Sequence, residues 1–259
     1  MASAPTLSAL IVAHNEETRL AACLEAVAFC DEIVVVLDRC TDGSEAIARR
    51  YTDRIIIGGW PLEADRRNLG IEECRCDWIL EVDADEIVTP ELAAEIRTTL
   101  PDTPASYINI PYLNYIGSRP VQYGWGAFNS VTIKSSLFRK GAKTWDRQII
   151  HPKVKVSGSK IFLKNPMLHY VDRDFTDMVN RLNRYTSAYA RQIADDLTSG
   201  SRKPETTGRW LRRGLSRFWK VYVARKGYKE GYIGLMLGLF AALYPVLSYL
   251  KARELMDKR

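Results

Sequence analysis

The stretch Trp78-Ile79-Leu80-Glu81-Val82-Asp83-Ala84-Asp85-Glu86 decides the reading of this chain. Its apolar first half predicts a buried strand, and its end carries two carboxylates one residue apart, followed by a third acid. Strand alternation sends Asp83 and Asp85 to the same side. Like charges that close repel, and burial raises their pKa values unless a cation lies between them. A hard divalent ion, Mg²⁺ or Mn²⁺, suits carboxylate oxygens and keeps positions open for water and substrate phosphates. Asp-x-Asp at the carboxyl end of a strand therefore points to a metal–diphosphate site. The same residues also suit a solvated acidic turn that caps a helix starting at Pro90. What precedes them must discriminate.

Upstream, Leu7–Ala13, Ile33–Leu37 and Arg54–Ile57 read as apolar strands, separated by helical spacing over Thr18–Phe29, a turn and helix from Thr41 to Tyr51, and a helix over Glu63–Cys74. Strand and helix alternating over short connections predict a parallel sheet with right-handed crossovers. Ligands of such sheets bind outside the carboxyl ends of the strands. Asn15, Glu16 and Glu17 follow the first strand, Asp38 the second, Asp83 and Asp85 the fourth. A helix over Pro90–Leu100 ends at Pro101, Ser106–Leu168 is strand-like and irregular, and helix returns at Phe175–Leu197 and Trp210–Arg225.

At 259 residues the chain can bury a large core as one α/β domain with an extension. Five cysteines (Cys23, Cys30, Cys40, Cys74, Cys76) form no Cys-x-x-Cys pair, which fits a reduced, cytosolic chain. Met1–Ala13 lacks a basic leader and reads as a first strand, not a signal peptide. The net charge of +6 is concentrated: ten basic residues against Glu205 alone between Arg202 and Lys229. Directly after come nineteen uncharged residues, Tyr232 to Leu250. A basic run beside an apolar run favours an anionic membrane surface over nucleic acid, which gains nothing from the second half.

No Gly-x-Gly-x-x-Gly follows the first strand and no Gly-x-x-x-x-Gly-Lys-Ser/Thr occurs, against a dinucleotide fold or a P-loop NTPase. Four ordered segments remain: Leu10-Ile11-Val12-Ala13-His14-Asn15-Glu16-Glu17; Asp31 to Asp38 with Thr41-Asp42-Gly43-Ser44; Arg66-Arg67-Asn68-Leu69-Gly70-Ile71; and Trp78 to Glu86. Together they resemble the family 2 glycosyltransferases of the GT-A fold. The likeness is greatest to the bacterial branch that adds glucose to the lipopolysaccharide inner core, with weaker matches at Leu137-Phe138-Arg139-Lys140, Ile150-His151-Pro152 and Met167-Leu168-His169-Tyr170.

The resemblance implies an α/β, Rossmann-like, mostly parallel GT-A sheet with a helical, membrane-associating C-terminal extension. Residues 1–172 would form the catalytic domain (nucleotide-sugar half 1–100, acceptor half 101–172), and 173–259 the extension. It implies an inverting transfer of a hexose, glucose from UDP-glucose, to a membrane-anchored glycolipid. Asp38, with Ala13, Asn15 and Glu16 beside it, would take the uracil or ribose. Arg66 and Arg67 would reach base or diphosphate, since a guanidinium fork suits phosphate. Asp83, Ala84 and Asp85 would hold ion and sugar, with His169 completing the metal site. The branch usually has Glu after the histidine where this chain has Pro152. The base then falls to Asp146, His151 or His169, with Asp146 preferred and His151 on the diphosphate. Tyr123 and Trp125, amid glycines, suit stacking on a sugar.

The implied place of work is the inner face of the bacterial inner membrane, peripherally attached. Nineteen helical residues span about 28 Å, barely a bilayer core of about 30 Å, so the terminal segment suits in-plane insertion, a core or homodimer helix, or a span. A nucleotidyltransferase and a basic nucleic-acid-binding module are the alternative functions.

Overall fold

The computed structural model describes residues 4–126, 130–147 and 153–258. Strand β1 (Leu7–Ala13) is buried at every position and is central to a parallel set with β2 (Glu32–Asp38), β3 (Ile55–Gly58) and β4 (Trp78–Asp83), in the order β3-β2-β1-β4. Burial on both faces explains why these strands are continuous apolar runs rather than alternating ones. Helices α1 (Leu20–Ala26), α2 (Ser44–Ala48) and α3 (Glu63–Glu73) make the crossovers. One face carries Ala9, Ile11, Val35, Leu37, Leu80 and Val82 against Leu20 and Leu24 of α1. The other carries Leu10, Val12, Val34, Val36 and Ile79 with Ile71 of α3. Gly70 allows α3 to approach this closely, since a Cβ there would come within 2.5 Å of Leu10 and 3.0 Å of Val36.

The register sets the site. Ala13 pairs with Leu37, Val12 with Asp83, and Asp38 with Gly58, so Asp83, Ala13 and Asp38 end their strands one residue apart in succession. By alternation Asp38, Glu81 and Asp83 share the α3 face. After the short strand β5 (Glu86–Ile87), α4 (Pro90–Thr99) starts with Pro90 in its first turn and Thr89 capping the Leu92 amide. Strands β6 (Tyr107–Ile116), β7 (Arg119–Val121), β8 (Ile133–Arg139), β9 (Lys143–Trp145), β10 (Val154–Val156), β11 (Lys160–Phe162) and β12 (Met167–Asp172) make up the irregular region. β8 runs antiparallel to both β4 and β6, β9 pairs with β10, and β12 pairs antiparallel with β5, setting His169 opposite Glu86.

The chain divides into two compact units, 1–113 with 133–169, and 114–132 with 170–259. This differs from a division after residue 172, because Ile116, Val121 and Trp125 pack with the helices. The second unit holds α5 (Phe175–Thr198), α6 (Thr207–Phe218), a π-helical turn over Trp219–Ala224, and α7 (Tyr232–Asp257). Its core gathers Ile116, Val121 and Trp125 with Met178, Leu182, Val221, Ile233 and Leu237. Buried Glu230 accepts the amides of Gln122 (2.8 Å) and Tyr123 (3.0 Å), fixing that loop.

Candidate functional site

The loops after β1 and β2 are bonded to each other. Asn15 adopts the left-handed conformation (φ 55°), and its Oδ1 accepts the Thr41 amide at 2.8 Å. The Glu16 amide donates to Ser44 Oγ at 3.0 Å, and the Gly43 amide to the Glu17 carboxylate at 2.7 Å. Beneath them Asp38 is 1% exposed. Its carboxylate accepts from Arg39 Nε (3.0 Å) and Nη2 (2.9 Å), Arg66 Nη1 (2.5 Å) and the Trp60 amide (3.1 Å). Burial alone would raise its pKa; the bonds from Arg39 and Trp60 and the charge of Arg66 outweigh it and hold Asp38 below the usual carboxylate range.

Arg67 is buried at the centre of a second network. Nε donates to Glu63 (2.8 Å), Nη1 to Glu81 (2.7 Å) and Nη2 to Asp83 (2.8 Å), while the guanidinium lies over the Trp145 ring at 4.7 Å. Glu81 also accepts from buried Lys143 at 2.5 Å, and Asp83 pairs with Lys134 at 3.3 Å. Desolvation works against ionisation at both acids, yet Lys143 and Arg67 lower the Glu81 pKa, and Arg67 and Lys134 press that of Asp83 far down. The cation near Asp83 anticipated from its neighbouring charges is thus supplied by side chains of the chain itself.

Strand alternation does not carry on to Asp85, because β4 ends at Asp83 and the backbone turns. Asp83 faces Arg67 and Lys134, whereas Asp85 lies 3.9 Å from Arg19 and 3.5 Å from His169 Nε2. Asp85, Glu86 and His169 offer ligand atoms that all lie within 4.8 Å of one another. Two carboxylates and an imidazole form an oxygen-rich set that Mn²⁺ or Mg²⁺ accepts. Glu86, 1% exposed, also accepts from Lys134, from Tyr112 Oη at 3.1 Å and from the Asp83 amide at 3.1 Å. Burial first, then the charges of Asp83 and Asp85, raise its pKa against Lys134. A cation in this set would meet Lys134 as its competitor for Glu86, and Tyr112 as the support that holds both Glu86 and, edge-on at 6.0 Å, the His169 ring.

The structure therefore brings Ala13, Asn15, Glu16, Asp38 and Arg66 to one side of the strand ends, and Arg67, Asp83, Ala84, Asp85 and His169 to β4 and its turn. Asp146 pairs with Lys155 at 2.6 Å; its neighbour Trp145 is the residue that reaches Glu81, at 3.4 Å. Trp125 belongs to the second unit, 5% exposed in its core, with its indole N–H donating to the Val121 carbonyl, so its ring presents no open face. Tyr123 has the Lys229 ammonium over its ring at 5.1 Å. His151 lies outside the described residues. Sequence reasoning missed Glu81, Lys134, Lys143 and Tyr112 and left Glu86 unassigned. A charged residue inside the apolar run Trp78–Val82 was a signal for Glu81, since a buried carboxylate demands a cation. Lys134 carried none.

The sequence model of Glycosyl transferase family 2 matches residues 8–153. The chain is 28% identical over 260 residues to the lipopolysaccharide core biosynthesis glycosyltransferase LpsC of Rhizobium meliloti, covering 95% of this chain and 91% of LpsC. It is 26% identical over 262 residues to an uncharacterized glycosyltransferase of Rickettsia felis, covering 96% and 89%. In fold it is similar to S. aureus TarS 1–349, with TM-score 0.50 and 13% identity across 98% of this chain and 92% of that one.

Proposed function

The chain belongs to glycosyltransferase family 2 and has the GT-A fold, and from that premise we propose that it transfers a hexose, glucose from UDP-glucose, to a membrane-anchored glycolipid such as a lipopolysaccharide core intermediate. The observation that carries this reading is the near-level ending of β1, β2 and β4, which aligns Asp38 with the acidic turn at Asp83–Glu86. The likeness to LpsC supports the acceptor class. Family membership displaces the nucleotidyltransferase and nucleic-acid alternatives.

Asp38 receives the uracil or ribose. Its lone pairs are filled by Arg39, Arg66 and Trp60, and of these partners Arg39 is the exposed one, with 60% of its side chain in solvent. A nucleotide entering here displaces Arg39 while Arg66 keeps Asp38 ionised. Asp85 and His169, with Glu86, would hold Mg²⁺ or Mn²⁺, which would supply positive charge to the leaving diphosphate. Arg67 holds Glu81 and Asp83 in place behind them. An acceptor hydroxyl attacks the anomeric carbon in line, and Asp146 takes its proton. The protein works peripherally on the inner face of the bacterial inner membrane. Purified protein incubated with a panel of nucleotide-sugars and Mn²⁺ tests the donor: slow hydrolysis of UDP-glucose above all others is expected, and equal inertness of every UDP-sugar overturns it.

A further inference from the structure

Helices α6 and α7 of the second unit pack against each other in opposite directions. Gly214 sits against Ala242 and Val246, where a Cβ would meet atoms at 2.8 and 3.3 Å, and Gly238 sits against Phe218 and Tyr222 at 3.1 and 3.3 Å. Position 214 thus faces 242–246, while 218–222 faces 238, which makes the pair antiparallel.

Each helix also carries an exposed apolar row at four-residue spacing, Leu211, Leu215 and Trp219 along α6 and the turn that continues it, and Leu235, Leu239 and Leu243 along α7. Leu215 is 72% and Trp219 62% exposed. At about 100° per residue, the α6 row lies roughly a sixth of a turn past its seam positions, and the α7 row is offset from its own seam in the same rotational sense. In an antiparallel pair the same sense on both helices means the same side in space. The two rows therefore form one apolar surface flanking the seam. Its outer border on α6 is Arg209, Arg212 and Lys220, all exposed. Arg213 and Arg217 are engaged elsewhere, the first with Glu205 at 2.7 Å, the second half-buried over the Tyr244 ring at 5.2 Å. Residues 206–229 contain no carboxylate, nor do residues 231–253.

We propose that this face seats the protein on an anionic bilayer, with α6 and α7 both lying in the membrane plane. The six apolar side chains enter the interfacial region while Arg209, Arg212 and Lys220 meet headgroup phosphates, the arrangement of an interfacial amphipathic surface. Charge decides the occupant. A second copy of this face brings the same cations and no carboxylate to pair them, and nucleic acid leaves Leu215 and Trp219 in water. Spanning is disfavoured because α7 is a core helix on its other side. Its most apolar window is 56% buried, Tyr244 stacks on Tyr189 of α5, and Lys251 at its far end donates to Asn183, Thr186 and Ser187.

The proposal builds on the glycolipid-acceptor reading, but its test uses neither donor nor acceptor, so the two fail separately. Full-length protein is floated with vesicles of phosphatidylcholine alone or with about a third phosphatidylglycerol, at low and high salt. Binding is expected only to the anionic vesicles, weaker in salt, and released by alkaline carbonate. Leu215→Glu with Trp219→Glu should weaken it at least tenfold, and both positions are exposed, so folding, checked by circular dichroism and melting, should hold. Arg209→Gln, Arg212→Gln and Lys220→Gln together should weaken binding and flatten its salt dependence. Absence of binding to anionic vesicles at low salt overturns the proposal. So does retention after carbonate, which means a span, or a change from dimer to monomer in the Leu215/Trp219 variant with vesicle binding intact, which means a second copy covers the face.

Discussion

Arg67 joins Glu81 and Asp83, two residues apart on β4, through the two terminal nitrogens of one guanidinium, at 2.7 and 2.8 Å. The end of the strand is thereby held as a unit, and the two acids keep their charge without an ion.

Arg67→Met should cost about 3–5 kcal/mol of stability, the scale for breaking a buried ion pair by removing one partner, read by urea unfolding at pH 7. Lys143 and Lys134 still face the two acids, so the lower end is expected.

The pH dependence follows from this network and from the one around Asp38. Asp38, Glu81 and Asp83 have pKa values depressed by folding. Depressed acids contribute stability that is present above their unfolded pKa, about 4, and is lost as pH falls through their folded values. Glu86, raised by burial and neighbouring acids, has the opposite sign: its ionisation costs stability as pH rises through its folded pKa. Three groups against one predict a melting temperature that declines below about pH 4, with a shallower decline in the Arg67→Met protein.

Asp85→Ala should abolish Mn²⁺-dependent UDP binding while leaving the melting temperature near that of the unaltered protein, because among the described residues the ion-pair partners of Asp85 are Arg19 at 3.9 Å and His169 at 3.5 Å. Calorimetry with Mn²⁺ and with chelator is the measurement, and equal UDP affinity in both conditions would remove the metal from the proposed mechanism.

Lys134→Met removes the ammonium that competes for Glu86 and Asp83. Mn²⁺ affinity should rise by on the order of tenfold, about 1.4 kcal/mol, at low salt. An unchanged or weaker affinity would make Lys134 an organiser of the acids instead of a rival to the ion.

Asp146→Asn should lower transfer about 10²-fold or more, the usual contribution of a general base, and leave donor binding intact. Loss of donor binding would reassign Asp146 to the donor pocket, and unchanged transfer would move the proton to a histidine.

The parallel half of the fold was legible because each strand is an apolar run closed by turn chemistry, and Asp38 and Asp83 were legible because polar residues gather where such strands end. Lys134 was not, since β8 reaches β4 from more than fifty residues away and nothing local marks a lysine as an internal partner. Trp125 read as a ring-binding residue because its neighbours are glycines. Its burial depends on Met178, Leu182, Val221 and Leu237, contributed by later segments. The terminal apolar run left span, plane and core open, and the choice needed the identity of what packs on each side of α7.

The bonding between the loops after β1 and β2 also constrains what any ligand can touch there. The amides of Glu16, Glu17, Thr41, Gly43 and Ser44 all donate within those loops. In a glycine-rich phosphate loop such amides point outward and bind the anion themselves. Here an incoming anion finds these five amides already occupied, which leaves recognition to side chains. Recognition at this rim therefore rests on side chains, such as Arg39 on the loop after β2 and Arg66 on α3, which a single substitution can replace.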